Sequence, residues 1–415
     1  MNQQEDKIKS LINRGVRILR PETVEIGEEV DPDRISKERV TVYPGCRIYG
    51  EDTLIMAGAA LGLEGPATIV NCRIGPGVEL RGGFFKQSVF LERASLGSGA
   101  QIREGCLLEE ESGGAHSIGL KQTILLPFVT LGSLINFCDC LMAGGTSRKD
   151  HSEVGSSFIH FNYTPNQDKA TASLIGDVPR GVMLNQPPIF LGGQGGLVGP
   201  VRIGYGTVTA AGTILRKGVP EGGKLICEAG RDREFPFYPG LYREIREKTA
   251  NNLLYIANLF ALRRWYLEVR SLFLAGERPG EALHRGAVKI LETAIEERIR
   301  RLRELAGKMD RSAELFEQTA EGDTSDRLLA QKRELAARWG EVEEALQAGG
   351  AVEGDRGERD AFLVEAERGR KDAGGDYLKT IKTLKPAAAA GGTRWLESIV
   401  VEISRRALDP LPSFR

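Results

Sequence analysis

Four histidines occur in 415 residues, and two of them, His151 and His160, fall in one stretch, Asn136 to Asp177, with Asn162, Tyr163, Asn166, Asp168, Lys169 and the basic pair Arg148-Lys149. A neutral imidazole beside an amide and a lysine suits removal of a proton from an amine while the lysine holds a phosphate. His160, two residues ahead of Asn162, is the candidate general base. Its plainer reading is a solvent-facing residue of a strand Phe158-Ile-His-Phe. His151 follows Arg148-Lys149-Asp150 in a loop, where a phosphate-facing or solvated role competes with catalysis, and His116 and His284 read as structural. Cys138 and Cys140 alternate about Asp139 and with His151 suggest a metal. Small interior positions of a repeat are a commoner home for cysteine, as at Cys46 and Cys106, so no metal site is assigned.

The elements that position these residues differ sharply between the two halves of the chain. Residues 1–230 hold 35 of the 51 glycines, with β-branched apolar residues at short spacing. From about residue 241 the composition turns to Glu, Arg, Leu and Ala, as helices require. In the first half apolar residues recur every six positions: Leu191, Leu197, Ile203, Thr209 and Leu215, or Val42, Ile48 and Leu54. A glycine follows the key residue in Ile74-Gly75, Leu96-Gly97, Leu131-Gly132, Val154-Gly155 and Ile203-Gly204. This is the hexapeptide repeat of a left-handed parallel β-helix, in which the aliphatic residue points inward and each six residues make a short strand and a corner. A β-sandwich would space its turns less regularly.

The sequence therefore predicts an all-β left-handed parallel β-helix followed by an α-helical region. Residues 1–40 form an N-terminal helical or extended cap, 41–236 the β-helix and 237–415 the helices, with a flexible segment near 349–392. The repeat over 41–217, interrupted near 82–90, 109–125, 144–151 and 162–190, gives roughly 7 to 8 coils. In the second half Leu253, Ile256, Phe260, Leu267 and Leu274 share one helical face, and Val288 to Leu305 form a second stripe.

Charge narrows the function. Lys and Arg number 56 against 57 Asp and Glu, so no global field draws nucleic acid or an anionic membrane. Six cysteines without a CxxC pair fit a reduced, cytoplasmic setting, and neither a signal-length apolar core nor a run of about 18 apolar residues points to secretion or a membrane.

Three strings carry a resemblance: Asn162-Tyr163 followed after an insertion by Lys169, then Ile175-Gly176-Asp177, then IFLGGQGGLVGPVRIGYGTVTAAGTILRKGV from Ile189 to Val219. They resemble the left-handed β-helix acetyltransferase half of the bifunctional bacterial enzyme GlmU, which acetylates glucosamine-1-phosphate and couples the product to UTP. More loosely, the arrangement is similar to UDP-N-acetylglucosamine pyrophosphorylase-like proteins. The resemblance implies acetyl-CoA as acyl donor and an amino-sugar phosphate or sugar nucleotide as acceptor. It places Asn162, Tyr163 and Lys169 at the sugar-phosphate and acetyl-CoA site, and Gly193 and Ala211 beside the pantetheine arm. It also implies a homotrimer with sites between neighbours, which flat apolar faces favour. Two departures stand out. The family's catalytic histidine falls at Gly145 and its sugar-binding tyrosine at Arg148, and no Gly-rich nucleotidyltransferase loop precedes the repeat. A non-catalytic sugar-nucleotide-binding or assembly scaffold is the alternative.

Overall fold

The computed structural model describes residues 3–162, 164–166, 168–227, 237–243, 245–274, 276, 278–319 and 326–414. After a helix over Gln3–Asn13 the chain winds into a parallel β-helix of about 11 turns with three faces. One face, here the open face, stacks eleven strands among the described residues, from Arg17–Ile18 and Thr41–Val42 through Glu153–Val154, Phe190–Leu191 and Val208–Thr209 to Leu225–Ile226. A second face runs from Glu25–Ile26 to Phe158–Phe161, Gly196–Val198 and Ile214–Leu215. The third includes Leu54–Ile55, Arg73–Ile74, Val89–Phe90, Leu107–Leu108, Ser173–Ile175 and Arg202–Ile203. The eight-residue strands Ile118–Leu125 and Ile135–Met142 turn the corner between the second and third faces and pair along both. At the usual strand spacing the rod is roughly 50 Å long.

The six-residue step places the expected side chains inside. Leu197, Ile203, Thr209 and Leu215 are all buried. The rod is longer than predicted, because the repeat starts at Arg17 rather than residue 41, and two of the expected interruptions are ordinary coil. In one of them Phe85 takes an inward place in register with Ile69 and Ile102. In the other Gly114 stands where a bulky residue was expected, and Ile118 fills the gap: a Cβ on Gly114 would lie 3.0 Å from its side chain. The real insertions are a hairpin, Gly145–Ser147 with Asp150–His151, the excursion 162–172, and the residues around the short helix Val178–Gly181.

The second half is helical, as expected, with helices including Ile245–Trp265, Arg278–Ala306 and Pro386–Leu408. Segment 349–392 is not a flexible loop. It holds the helices Arg356–Asp372 and Tyr377–Lys382 and the start of Pro386–Leu408. Pro386 sits in the first turn, where its missing N–H leaves no bond unmade. Gly392 lets that helix approach closely, since a Cβ there would come within 2.6 Å of both Met183 and Phe362.

The helices lie along the third face, hereafter the covered face. Most of its strands are buried on both sides, as at Leu54–Ile55, Val89–Phe90 and Leu107–Leu108. Most open-face strands bury only their second residue, as at Thr41–Val42 and Glu79–Leu80. Charged pairs stitch the seam: Lys289 to Asp52 at 3.7 Å, Arg298 to Asp139 at 2.8 Å, Lys248 to Asp168 at 3.2 Å, and Arg270 to Glu110 with both side chains buried. No helix among the described residues is long and apolar enough to cross a membrane.

Candidate functional site

His160 does not face solvent. Its strand Phe158–Phe161 alternates buried and exposed residues, and His160 takes a buried place opposite Leu197 on the next coil. Both ring nitrogens are engaged inside the rod: Nδ1 lies 2.6 Å from the Cys138 carbonyl and Nε2 2.8 Å from Ser173 Oγ. A carbonyl only accepts, so Nδ1 carries the proton and Ser173 donates to Nε2. Burial pushes the ring's pKa down to about 4, which keeps it neutral. A satisfied imidazole with no path to a ligand cannot collect a substrate proton, so the candidate base is a core residue. The signal was present: six positions on from the inward Val154 is His160.

Asn162 and Lys169 stand at the corner between the second and covered faces, where the insertion leaves the coil. Asn162 Nδ2 donates to Asp139 Oδ2 at 3.3 Å, and Asp139 is the buried partner of Arg298 from the helix Arg278–Ala306. The same Arg298 donates to the Lys169 carbonyl at 3.2 Å, while the Lys169 side chain is exposed. Asn252 holds the neighbouring Ala170 carbonyl at 3.0 Å. The helical half thus pins this insertion, and Asn162 turns toward the seam. Tyr163 lies outside the described residues.

Gly193 and Ala211 meet at another corner, between the open and second faces, on adjacent coils: Gly212 N donates to the Gly193 carbonyl at 2.9 Å. The corner is tight beneath and bare outside. A Cβ on Gly193 would meet the Ser156 carbonyl at 2.7 Å, whereas Ala211 is exposed. A slender chain can lie against it. Within one chain the strand Phe158–Phe161 separates this corner from Asn162 and Lys169.

The hairpin holds the residue that sequence reasoning left undecided. Gly145, where the family's histidine would fall, pairs across the hairpin with His151. A side chain on Gly145 is impossible without rearrangement, since its Cβ would lie 2.5 Å from His151 Cα. His151 is 19% exposed at its side chain, its buried Nδ1 has no partner among the described residues, and Nε2 lies 3.7 Å from Glu153 Oε2. Glu153 begins an open-face strand that ends at the corner carrying Gly155 and Gly193. Arg148, at the family's tyrosine position, is spent on the rod itself, donating to the Glu111 and Phe128 carbonyls and to Thr130 Oγ1 at 2.8 to 3.2 Å. No spacing rule in the sequence pairs residue 145 with 151 across an irregular turn. Cys138 and Cys140 are buried, and among the described residues no group of three or more His, Cys, Asp or Glu is placed to hold a metal.

No family model matches the chain. It is 29% identical over 214 residues to the bifunctional protein GlmU of Thermotoga maritima, covering 52% of this chain and 42% of that protein. With the bifunctional protein GlmU of Nitratidesulfovibrio vulgaris identity is 27% over 234 residues, 55% of this chain and 45% of the relative. With that of Clavibacter sepedonicus it is 30% over 190 residues, 46% and 34%. The chain spans less than half the length of these curated relatives and aligns with their C-terminal half. The six-residue rung and this similarity together support the left-handed form of the β-helix.

Proposed function

We propose that the chain is a GlmU-like transferase of the sugar-nucleotide pathway, passing an acyl group from an acyl-CoA, acetyl-CoA in the first instance, to the amine of an amino-sugar phosphate or sugar nucleotide. The observation that carries this reading is His151 standing opposite Gly145 beside Glu153. When an amine attacks a thioester carbonyl it must lose a proton. His151 Nε2 takes it, and the Glu153 carboxylate stabilises the imidazolium formed. The bare corner at Gly193 and Ala211, reached across the open face from Glu153, accommodates the pantetheine arm. The proton then passes to the leaving thiolate, and amide and free thiol result.

Asn162 and Lys169 are at a different corner of the same rod, so their part in substrate binding requires a neighbouring chain. Exposed apolar residues support a homotrimer packed along the two uncovered faces: Phe190, Val208 and Leu225 in register on the open face, and Ile159, Phe161 and Val198 on the second. A cytoplasmic setting goes with this chemistry, where acyl-CoA is made and free thiols such as Cys227 persist.

The test is acetyl-CoA-dependent acylation of glucosamine-1-phosphate and related amino sugars. His151→Ala should lower kcat by about 100-fold or more with KM little changed. Full activity in that variant, or wild-type protein that acylates no amino sugar, sinks the assignment. The missing side chain at Gly145 and the engaged Arg148 favour one second reading, a scaffold that binds sugar nucleotides without turnover. Its signature is ligand-induced thermal stabilisation without acyl transfer.

A further inference from the structure

A separate cavity of about 360 Å³ opens where the insertion 162–172 meets the start of the helical half. Its walls include Thr164, Asn166 and Asp168 from the β-helix side and Phe237, Tyr238, Tyr242, Arg243 and Lys248 from the helical side. That volume lies in the range of small-molecule sites, and junctions between structural units are where such sites concentrate.

The chemistry of the walls is one-sided. Phe237 is 62% exposed and Tyr238 37%, so two aromatic rings stand open at the rim among the described residues. Arg243 is exposed and has no acidic partner among the described residues, while Lys248 is half-buried against the buried Asp168 at 3.2 Å and stands 5.6 Å from the centre of the Tyr242 ring. Behind the wall, Lys308 donates to the Asn166 carbonyl at 2.7 Å, and the buried Lys332 donates to the Tyr242 carbonyl and to Ser312 Oγ. Neither has a carboxylate partner among the described residues. Among the described residues, four basic side chains therefore stand around one carboxylate, and although burial lowers the Lys332 ammonium to about 8, the balance favours an anion.

The wall is held in shape from both sides. Asp168 Oδ2 accepts from Thr164 Oγ1 at 2.5 Å, and Asn166 Oδ1 accepts from the Gly240 N–H at 2.8 Å. Planar aromatic rims stack flat rings, and a guanidinium beside them grips phosphate oxygens in pairs.

We infer that this junction cavity binds the nucleoside diphosphate portion of a ligand, with the base on Phe237 and Tyr238 and the phosphates on Arg243 and Lys248. Coenzyme A and a uridine sugar nucleotide both carry such a group. The inference is independent of acyl transfer, because none of the residues lining the cavity takes part in the proposed chemistry.

Isothermal titration of the full chain with uridine 5′-diphosphate, coenzyme A and inorganic pyrophosphate tests it. At least one of the two nucleotides should bind, more tightly than pyrophosphate, and which one binds identifies the source. Arg243→Glu and Phe237→Ala, both at surface positions, should each weaken that binding by about tenfold or more. Thr41→Ala, on an early coil far along the rod from this cavity, should leave it within about twofold, as expected for separated sites. The inference fails if neither nucleotide binds, if pyrophosphate binds as well as both, or if Arg243→Glu and Phe237→Ala leave binding unchanged. In any of these cases the acylation assay with His151→Ala still stands on its own result.

Discussion

The covered face and the open face are built from the same six-residue rung, yet they meet their surroundings in opposite ways. On the covered face many strands carry two apolar residues, as in Leu54-Ile55, Val89-Phe90 and Leu107-Leu108, and helices bury them. On the open face the outward residue is Thr41, Glu79, Ser95 or Thr130 for most of the rod. The inward residue makes the coil, and the outward one selects what lies against it. Over the last coils the open face changes character, with Phe190, Val208 and Leu225 outward and uncovered. There it has the composition of a covered face without the cover.

Charge is partitioned in the same way. Open-face pairs such as Arg81 and Glu79 are solvent-exposed and contribute little. The seam instead buries Arg270 with Glu110, and stacks its guanidinium carbon 3.7 Å from the centre of the Tyr377 ring. Such a pair contributes little net stability beside an apolar substitute, but it fixes which helix meets which coil.

The largest expected effect comes from breaking that seam. Arg270→Ala leaves Glu110 buried and uncompensated, and should destabilise the protein by about 3–5 kcal/mol in urea unfolding, with the helical half released first. Leu107→Ala, under the helices, should remove about 2–5 kcal/mol, whereas Thr41→Ala on the open face should stay within about 0.5 kcal/mol. Equal effects from that second pair would erase the distinction between the faces.

A pH titration sharpens the comparison further. Glu109, buried at the seam, accepts from Tyr266 OH at 2.6 Å, and burial raises its carboxyl from 4.5 to about 7, against the pull of Arg270. Between those two values the folded chain binds more protons than the unfolded chain, so this group's contribution falls as pH rises through the window. Glu109→Gln should therefore gain stability relative to wild type between about pH 5 and 8. A constant difference across that range would refute the assignment. His160 works in the opposite sense. With a folded value near 4 against an unfolded 6.5, its contribution is lost as pH falls through that interval. The smallest effect on folding is expected at Leu225→Ser and Phe190→Ser, within about 0.5 kcal/mol for the isolated chain. Sedimentation should nonetheless show self-association weakened, and unchanged association would remove the open-face patch from the proposed trimer.

Much of this was readable in the residues themselves. The step of six places Leu197, Ile203, Thr209 and Leu215 inside because rung geometry is local, and the same step reaches His160, whose inward place was legible though its chemistry drew attention first. Apolar pairs such as Leu107-Leu108 likewise mark strands buried on both sides. Three features were hidden. A last amphipathic helix around Trp395 to Leu408 was legible, but its first turns over 386–392 were masked by small residues whose use is close packing, and such use shows only once Met183 and Phe362 are in place. The pairing of Gly145 with His151 depends on an irregular turn. The turning of Asn162 toward Asp139 depends on Arg298, more than a hundred residues away along the chain.

The sequence by itself determined the rung, its inward residues and the division into two halves, because each follows from the spacing and propensities of neighbouring residues. Tertiary structure alone decided which face the helices cover, and with it the fate of the charged residues along that face. Glu110 and Arg270 stand 160 positions apart, and only the packing of the helices on the rod turns two ordinary charged residues into one buried pair.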